Sequence, residues 1–107
     1  MIQMSSSRAG NPESARNLNH SSMRIIVDVP EYEPALGLRF QWDAAFEIQV
    51  HARGDEVTIA ANAAGLRSLA RHLLTLAQET VAVHTHFHLD SSNSLAETSG
   101  QLIVEKV

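Results

Sequence analysis

The sequence predicts an α+β fold, in which an antiparallel sheet of about four to five strands carries one amphipathic helix packed on one face. Runs of alternating apolar and polar residues, typical of strands, stand on both sides of a single segment with helical periodicity. The chain has 107 residues, of which 44% are apolar and 19% charged, and this composition is typical of one globular domain.

Residues 1–22 are predicted to form a disordered tail in front of this domain. The segment contains six serines and the turn signal Gly10-Asn11-Pro12, with almost no large apolar side chains. It therefore cannot bury enough surface to offset its chain entropy. The predicted domain spans residues 23–107. Because Met23 heads the first strand-like run, it is a candidate translation start beside Met1.

Several strand-like runs precede the helix. Residues 25–29 are short and β-branched, which predicts a strand that the following proline ends. Residues 37–45 alternate in a way that suits a strand with one buried face, and residues 46–51 alternate more cleanly. Residues 53–56 have the chemistry of a hairpin turn, so residues 57–61 are predicted to be the return strand.

Residues 63–79 are predicted to form the helix, because apolar side chains recur there with a period of 3.6 residues. Asn62 is a good N-cap, and Gly65 in the first turn permits close contact with a strand. The side chains expected to face the core are Leu66, Leu69, Ala70, Leu73, Leu76 and Ala77. Those expected to face solvent are Arg67, Ser68, Arg71, Thr75, Gln78 and Glu79.

Two more strands are predicted after the helix. Residues 84–90 alternate again, residues 91–94 form a turn, and Leu95 is expected to return to the core. Residues 101–107 form the final predicted strand. Since one helix covers only one face of the sheet, the other face is solvated or meets a partner.

Three histidines at alternate positions raise the question of a metal site. His84, His86 and His88 share one face of the predicted strand, and Asp90 continues the row. Imidazole and carboxylate groups both bind transition metals. However, residues two apart on a strand are separated by ~6.6 Å and residues four apart by ~13 Å, so three rings cannot reach one ion without a bulge. The two interpretations are a polar strand face and a metal-binding or metal-dependent enzymatic site.

Composition excludes several classes of function. The chain contains no cysteine, so disulfide frameworks and thiol catalysis are ruled out. A net charge of −4 argues against nucleic-acid binding, which needs clustered basic residues. No run approaches the ~20 apolar residues of a membrane helix. No phosphate-binding loop, nucleophile elbow or paired carboxylates are visible, so we expect neither an enzyme nor a cofactor.

The acidic side chains concentrate before the helix, which is compatible with a surface that faces a basic partner. They are Glu31, Glu33, Asp43, Glu47, Asp55 and Glu56.

The chain from Gly37 to the C-terminus resembles bacterial polymorphic-toxin immunity proteins of the immunity protein 32 type. The residues that carry the resemblance are Asn62–Ala77, His88–Asp90, Asn93–Leu95 and Leu102–Lys106. The resemblance implies a cytoplasmic antidote that binds a cognate toxin and has no catalytic residues of its own.

Such a role needs a surface of roughly 800 Å² and a few anchor side chains. Pairing of exposed sheet edges in a homodimer, through residues 101–107, is a further hypothesis. The candidate anchors for a protein partner are Tyr32, Trp42, His84, His86, His88 and Asp90.

Overall fold

The computed structural model describes residues 21–107, and within them it contains two antiparallel two-stranded sheets and one α-helix. Strand β1 (Ile48–Arg53) pairs with β2 (Glu56–Ala61), and helix α1 (Ala63–Leu76) follows directly. Strand β3 (His86–Leu89) pairs with β4 (Leu102–Glu105). The α+β class is therefore confirmed. Residues 1–20 of the predicted tail lie outside the described residues.

The β1–β2 hairpin has the predicted two-residue turn. Gly54 adopts φ +61°, the left-handed backbone that the first position of such a tight turn requires. The register places Ile48 opposite Ala61 and Val50 opposite Ile59, so the apolar side chains of both strands share one face. Ile48 and Val50 are buried there.

Helix α1 begins at its predicted N-cap. The Asn62 side chain accepts a hydrogen bond from the Gly65 backbone N–H at 2.8 Å. It also accepts from the Glu47 N–H at 3.0 Å, which joins the start of the helix to the segment before β1. The helix ends at Leu76, three residues earlier than predicted, and Ala77 is its C-cap.

The prediction of one sheet with four to five strands is wrong, because the free edge of β1 is occupied by a loop. Ala96 donates its N–H to the Ile48 carbonyl at 2.9 Å, and Gly100 donates to the Val50 carbonyl at 2.8 Å. The Val50 N–H donates to Ser99 Oγ at 3.1 Å. These are the backbone groups that a third strand would need, so the β1–β2 ladder ends here.

The two earlier predicted strands are absent from the described residues. Residues 25–29 pair with no strand there, and Ile26 is 93% exposed, so the β-branched run has neither a ladder nor a core to enter. Residues 37–45 form no strand, and Gly37 and Ala45, at the two ends of this segment, both have positive φ. Their alternation still has the predicted effect, since the apolar members lie half-buried against the core: Leu38, Phe40 and Trp42.

The core lies where α1, β1, β3 and the connecting segments meet. Leu95 is buried, as predicted. The other buried apolar side chains are Ile48, Val50, Leu69, Leu76, Val81, Phe87 and Leu89. No helix within residues 21–107 has the length and apolar character that a membrane span requires.

The helix is turned about its axis relative to the prediction. Leu69 and Leu76 are buried as expected, but Leu66 and Leu73 are exposed. The side chains buried in their place include three polar ones: Ser68, His72 and Thr75. Each has a hydrogen-bond partner, which removes most of the cost of burial.

Two of these partners lie in the irregular segment before β1. Ser68 Oγ accepts from the Asp43 N–H at 2.8 Å, and His72 Nε2 lies 3.2 Å from the Gln41 carbonyl oxygen. The third, Thr75, donates to the Arg71 carbonyl oxygen within the helix at 2.7 Å. The helix therefore turns its polar residues toward a backbone segment that has no ladder of its own.

Candidate functional site

The outer face of the β3–β4 sheet carries two of the three predicted histidines. His86 and His88 are exposed, whereas Phe87 between them is buried, so the alternation is confirmed. The register places His86 opposite Glu105 and His88 opposite Ile103. The face therefore combines two imidazoles, one carboxylate and one apolar side chain.

His84 lies outside β3. Its backbone has φ +73°, and its N–H donates to the Lys106 carbonyl at 2.6 Å. Its ring Nδ1 lies 2.9 Å from Glu105 Oε2, and most of the side chain is exposed. The left-handed backbone interrupts the regular row that the sequence predicts, so His84 extends the face only through its contact with Glu105.

Asp90 shapes the turn that follows β3. Its Oδ1 accepts hydrogen bonds from the Ser92 N–H at 2.9 Å and the Ser92 hydroxyl at 2.7 Å. These bonds lower the pKa of Asp90 below its ordinary value. The Leu95 N–H donates to the Asp90 carbonyl at 2.9 Å, so the turn directs Leu95 into the core. His88 Nε2 is 3.8 Å from the Asp90 carboxylate and 3.1 Å from Gln101 Oε1.

Within residues 21–107, no group of three or more histidine, aspartate or glutamate side chains is arranged to hold a metal ion. Each candidate has a different nearest partner: Glu105 for His84, the His84 carbonyl for His86, and Gln101 for His88.

Tyr32 and Trp42, the two aromatic candidates, belong to the segment before β1 and are half-buried. Trp42 stacks on Phe46 with ring centroids 4.3 Å apart and meets His72 edge-on at 4.2 Å. The Tyr32 N–H donates to Gln78 Oε1 at 2.9 Å. Both residues therefore contact α1 or its C-terminal end, and each presents only part of its ring to a partner.

His72 is fully buried among aromatic rings, although the predicted core positions of the helix do not include it. Phe40 and Trp42 lie 4.4 and 4.2 Å from it between ring centroids. Because the Gln41 carbonyl can only accept, Nε2 carries the hydrogen, and Nδ1 is left buried with no partner in the described structure. Burial lowers the pKa of His72 below 6.5, and the nearby Arg71 lowers it further. The helical spacing of Ser68, His72 and Thr75 is the signal that could have revealed this buried polar face.

A charged cluster fixes the segment before β1 to α1. Asp43 accepts from Arg67 Nε at 3.0 Å and from Arg71 Nη1 at 3.0 Å. The hydrogen bonds from Arg67 and Arg71 lower the pKa of Asp43. Arg71 also donates to the Gln41 carbonyl at 3.1 Å, so the cluster holds the segment that covers His72.

An open groove of ≈ 540 Å³ lies beside β1 and β2. Glu47 is the single ionisable side chain in its lining, which gives the groove no pair of groups for acid–base chemistry. The lining residues are Glu47, Gln49, Ala60, Ala61, Asn62 and Ala96.

Comparison with known families gives one match. Residues 56–107 match the model of a family described as Immunity protein 32. The matched segment contains β2, α1, β3 and β4, and it confirms the resemblance for this part of the chain. Residues 37–55, which the resemblance also covers, lie outside the match. No curated protein and no solved structure matches the chain.

Proposed function

We propose that this chain, whose residues 56–107 belong to the Immunity protein 32 family, neutralises a cognate bacterial protein toxin by stoichiometric binding. The family match is the observation that carries the proposal. The chain acts in the cytoplasm, where it occludes the toxin without performing any chemistry. A capped helix and the tight β1–β2 hairpin support this role, because a rigid scaffold limits the entropy lost on binding.

The toxin-facing surface in this proposal is the outer face of the β3–β4 sheet, formed by His86, His88, Ile103 and Glu105. Ile103 is 56% exposed, so the face presents an apolar side chain bordered by polar ones. Interfaces commonly have this arrangement, with a desolvated centre and a polar rim. All four of these residues lie within the segment that matches the family model.

Two further candidate anchors contribute at the margin of this surface. His84 reaches it through Glu105, and Asp90 holds the turn next to His88. Tyr32 and Trp42 lie in the segment before β1 and contribute a separate contact through the exposed fraction of their rings. The net charge of −4 favours a basic partner, because complementary charge accelerates encounter and selects the correct toxin.

The proposal is tested by co-expressing the chain with the protein toxin encoded beside its gene and measuring growth. We expect the wild-type chain to protect the cells and to co-purify with the toxin. Replacing both His86 and His88 by Ala should weaken protection, because it removes the imidazoles without touching the core. His51→Ala is the matched control, since His51 is an exposed histidine on β1. If the wild-type chain gives neither a complex nor protection, the proposal fails.

A further inference from the structure

The solvent-facing side of α1 is apolar, which is unusual for a helix whose opposite side is already buried. Leu66, Leu73 and Leu74 are 52%, 42% and 48% exposed. Three alanines on the same side of the helix are also exposed: Ala63, Ala70 and Ala77. We define the α1 outer face as Ala63, Leu66, Ala70, Leu73, Leu74 and Ala77. No charged side chain belongs to this set, so the face gains little from contact with water.

The spacing of this face is that of a coiled-coil seam. Positions 63, 66, 70, 73 and 77 alternate by three and four residues, the pattern of a and d positions in a heptad. Alanine occupies each a position and leucine each d position. The buried side of the helix uses other positions, among them Leu69, His72 and Leu76, so the seam is additional to the core. A heptad seam fits another helix better than a sheet or a loop.

We propose that two copies of this chain pair through the α1 outer face, with their α1 helices antiparallel about a two-fold axis. In this arrangement Leu66 lies opposite Ala77 of the second copy, and Ala70 lies opposite Leu73. In both pairs a leucine meets an alanine, so the seam complements itself without a second sequence. Two-fold dimers with identical faces are the commonest oligomers of soluble proteins.

The charges beside the seam are compatible with this pairing. Arg67 is the charged side chain nearest to the face, and it is bound to Asp43, which also accepts from Arg71. An antiparallel arrangement places Arg67 beside Leu74 of the second copy and away from the second Arg67. Repulsion between like charges therefore does not oppose the contact.

The size of the face sets the strength of the pairing. A helix of 14 residues is ~21 Å long, and a contact strip ~10 Å wide covers about 200 Å², well below the roughly 800 Å² per partner of a stable complex. The dimer is therefore weak and forms as protein concentration rises. The pairing does not depend on toxin binding, and its test uses the purified chain alone.

The first test is sedimentation equilibrium of the full chain between about 10 µM and 1 mM, a range that covers weak dimers. We expect the average mass to rise from 11.7 kDa toward twice that value. Leu73→Glu should raise the dimer dissociation constant at least about tenfold, because it places a charge in the apolar seam. Ile103→Glu is the matched control, since Ile103 is also an exposed apolar side chain, at 56% against 42% for Leu73, but lies on β4.

A second test leaves the leucines intact. Because the chain has no cysteine, Ala70→Cys introduces a single thiol in the seam. A short bis-maleimide should then cross-link two copies efficiently, whereas Ala60→Cys, on the exposed side of β2, should give little product.

Three results would overturn the proposal. One is a monomer at every concentration, together with no preference for Ala70→Cys in cross-linking. Another is a dimer that Ile103→Glu disrupts and Leu73→Glu does not, which would assign the contact to the edge of β4. The third is a strictly monomeric chain in which Leu73→Glu abolishes toxin protection, which would assign the face to the toxin.

Discussion

Protonation of one residue, His72, is coupled to the folding of the segment that covers it. The ring is 0% exposed, and its Nε2–H donates to the Gln41 carbonyl while Nδ1 has no partner within the described structure. A protonated ring would bring a second donor and a full charge into this site, where the charge of Arg71 is also positive. Burial therefore lowers the pKa of His72 and keeps the ring neutral in the folded state.

This coupling predicts a specific dependence of stability on pH. Because the pKa of His72 is lower in the folded than in the unfolded state, the unfolded chain binds the proton first, and stability falls as pH drops below about 6.5. The contribution of His72 to the slope is at most about 1.4 kcal/mol per pH unit. Urea denaturation measures the free energy of unfolding. We expect the contribution of His72 to this free energy to be constant above about pH 7.5 and to decrease toward pH 5.

The matched variants separate His72 from the other titrating groups. His72→Gln keeps a neutral donor at all pH values, so it should flatten the dependence, while His86→Gln on the exposed face should leave it unchanged. The pKa values of Asp43 and Asp90 are lowered from the ordinary value of 3.8 in the folded state. Their contributions to stability are therefore lost only as pH falls below 3.8. If the free energy of unfolding of His72→Gln falls with pH as steeply as that of the wild type, burial of this ring does not cause the loss of stability in acid.

At the scale of elements, the backbone of α1 lies very close to the β1–β2 hairpin at Gly65. A Cβ placed on Gly65 would clash with the Glu47 carbonyl oxygen, and it would lie 2.9 Å from Ile48 Cγ1 and 3.1 Å from Ala61 Cβ. The backbone of α1 therefore approaches the strands more closely than any other residue type would permit. This confirms the close contact that the sequence suggests for a glycine in the first helical turn.

Gly65→Ala should destabilise the protein by about 1–3 kcal/mol, even though alanine favours a helix by about 1 kcal/mol, because overpacking forces α1 away from β1. Thermal or urea unfolding measures the change. Gly100→Ala is the control, because its Cβ would meet Val50 O at an ordinary 3.8 Å. Equal stability of Gly65→Ala and wild type would contradict the described contact.

The same elements show what a sequence pattern can and cannot predict. The position of α1, its cap at Asn62 and the exposed histidines of β3 follow from local periodicity, and all are confirmed. The rotation of α1 could not be predicted, because it depends on bonds from Ser68 to Asp43 and from His72 to Gln41, across 25 and 31 residues. The division into two sheets likewise depends on a distant loop that occupies the edge of β1.

At the scale of the whole molecule, the two proposed interfaces belong to different elements and can be altered separately. The outer face of the β3–β4 sheet is polar with one exposed isoleucine, whereas the α1 outer face is entirely apolar. The candidate anchors were predicted from the sequence, but the α1 outer face was not, since periodicity assigned Leu66 and Leu73 to the core.

The net charge of −4 predicts that salt affects toxin binding mainly through the association rate. Raising ionic strength from about 0.05 to 0.5 M should slow association several-fold while changing dissociation much less, because steering acts over long distances and is screened. Stopped-flow or surface-based kinetics with the purified toxin measures both rates. An association rate independent of salt would show that charge complementarity does not accelerate toxin binding.

Calorimetric titration of the chain into its proposed partner, a purified cognate toxin, is the decisive test of neutralisation by stoichiometric binding. We expect saturable binding at one chain per toxin molecule, with loss of toxin activity at the same ratio. Absence of binding to an active, folded toxin, or inhibition at far below one chain per toxin, would contradict neutralisation by stoichiometric binding.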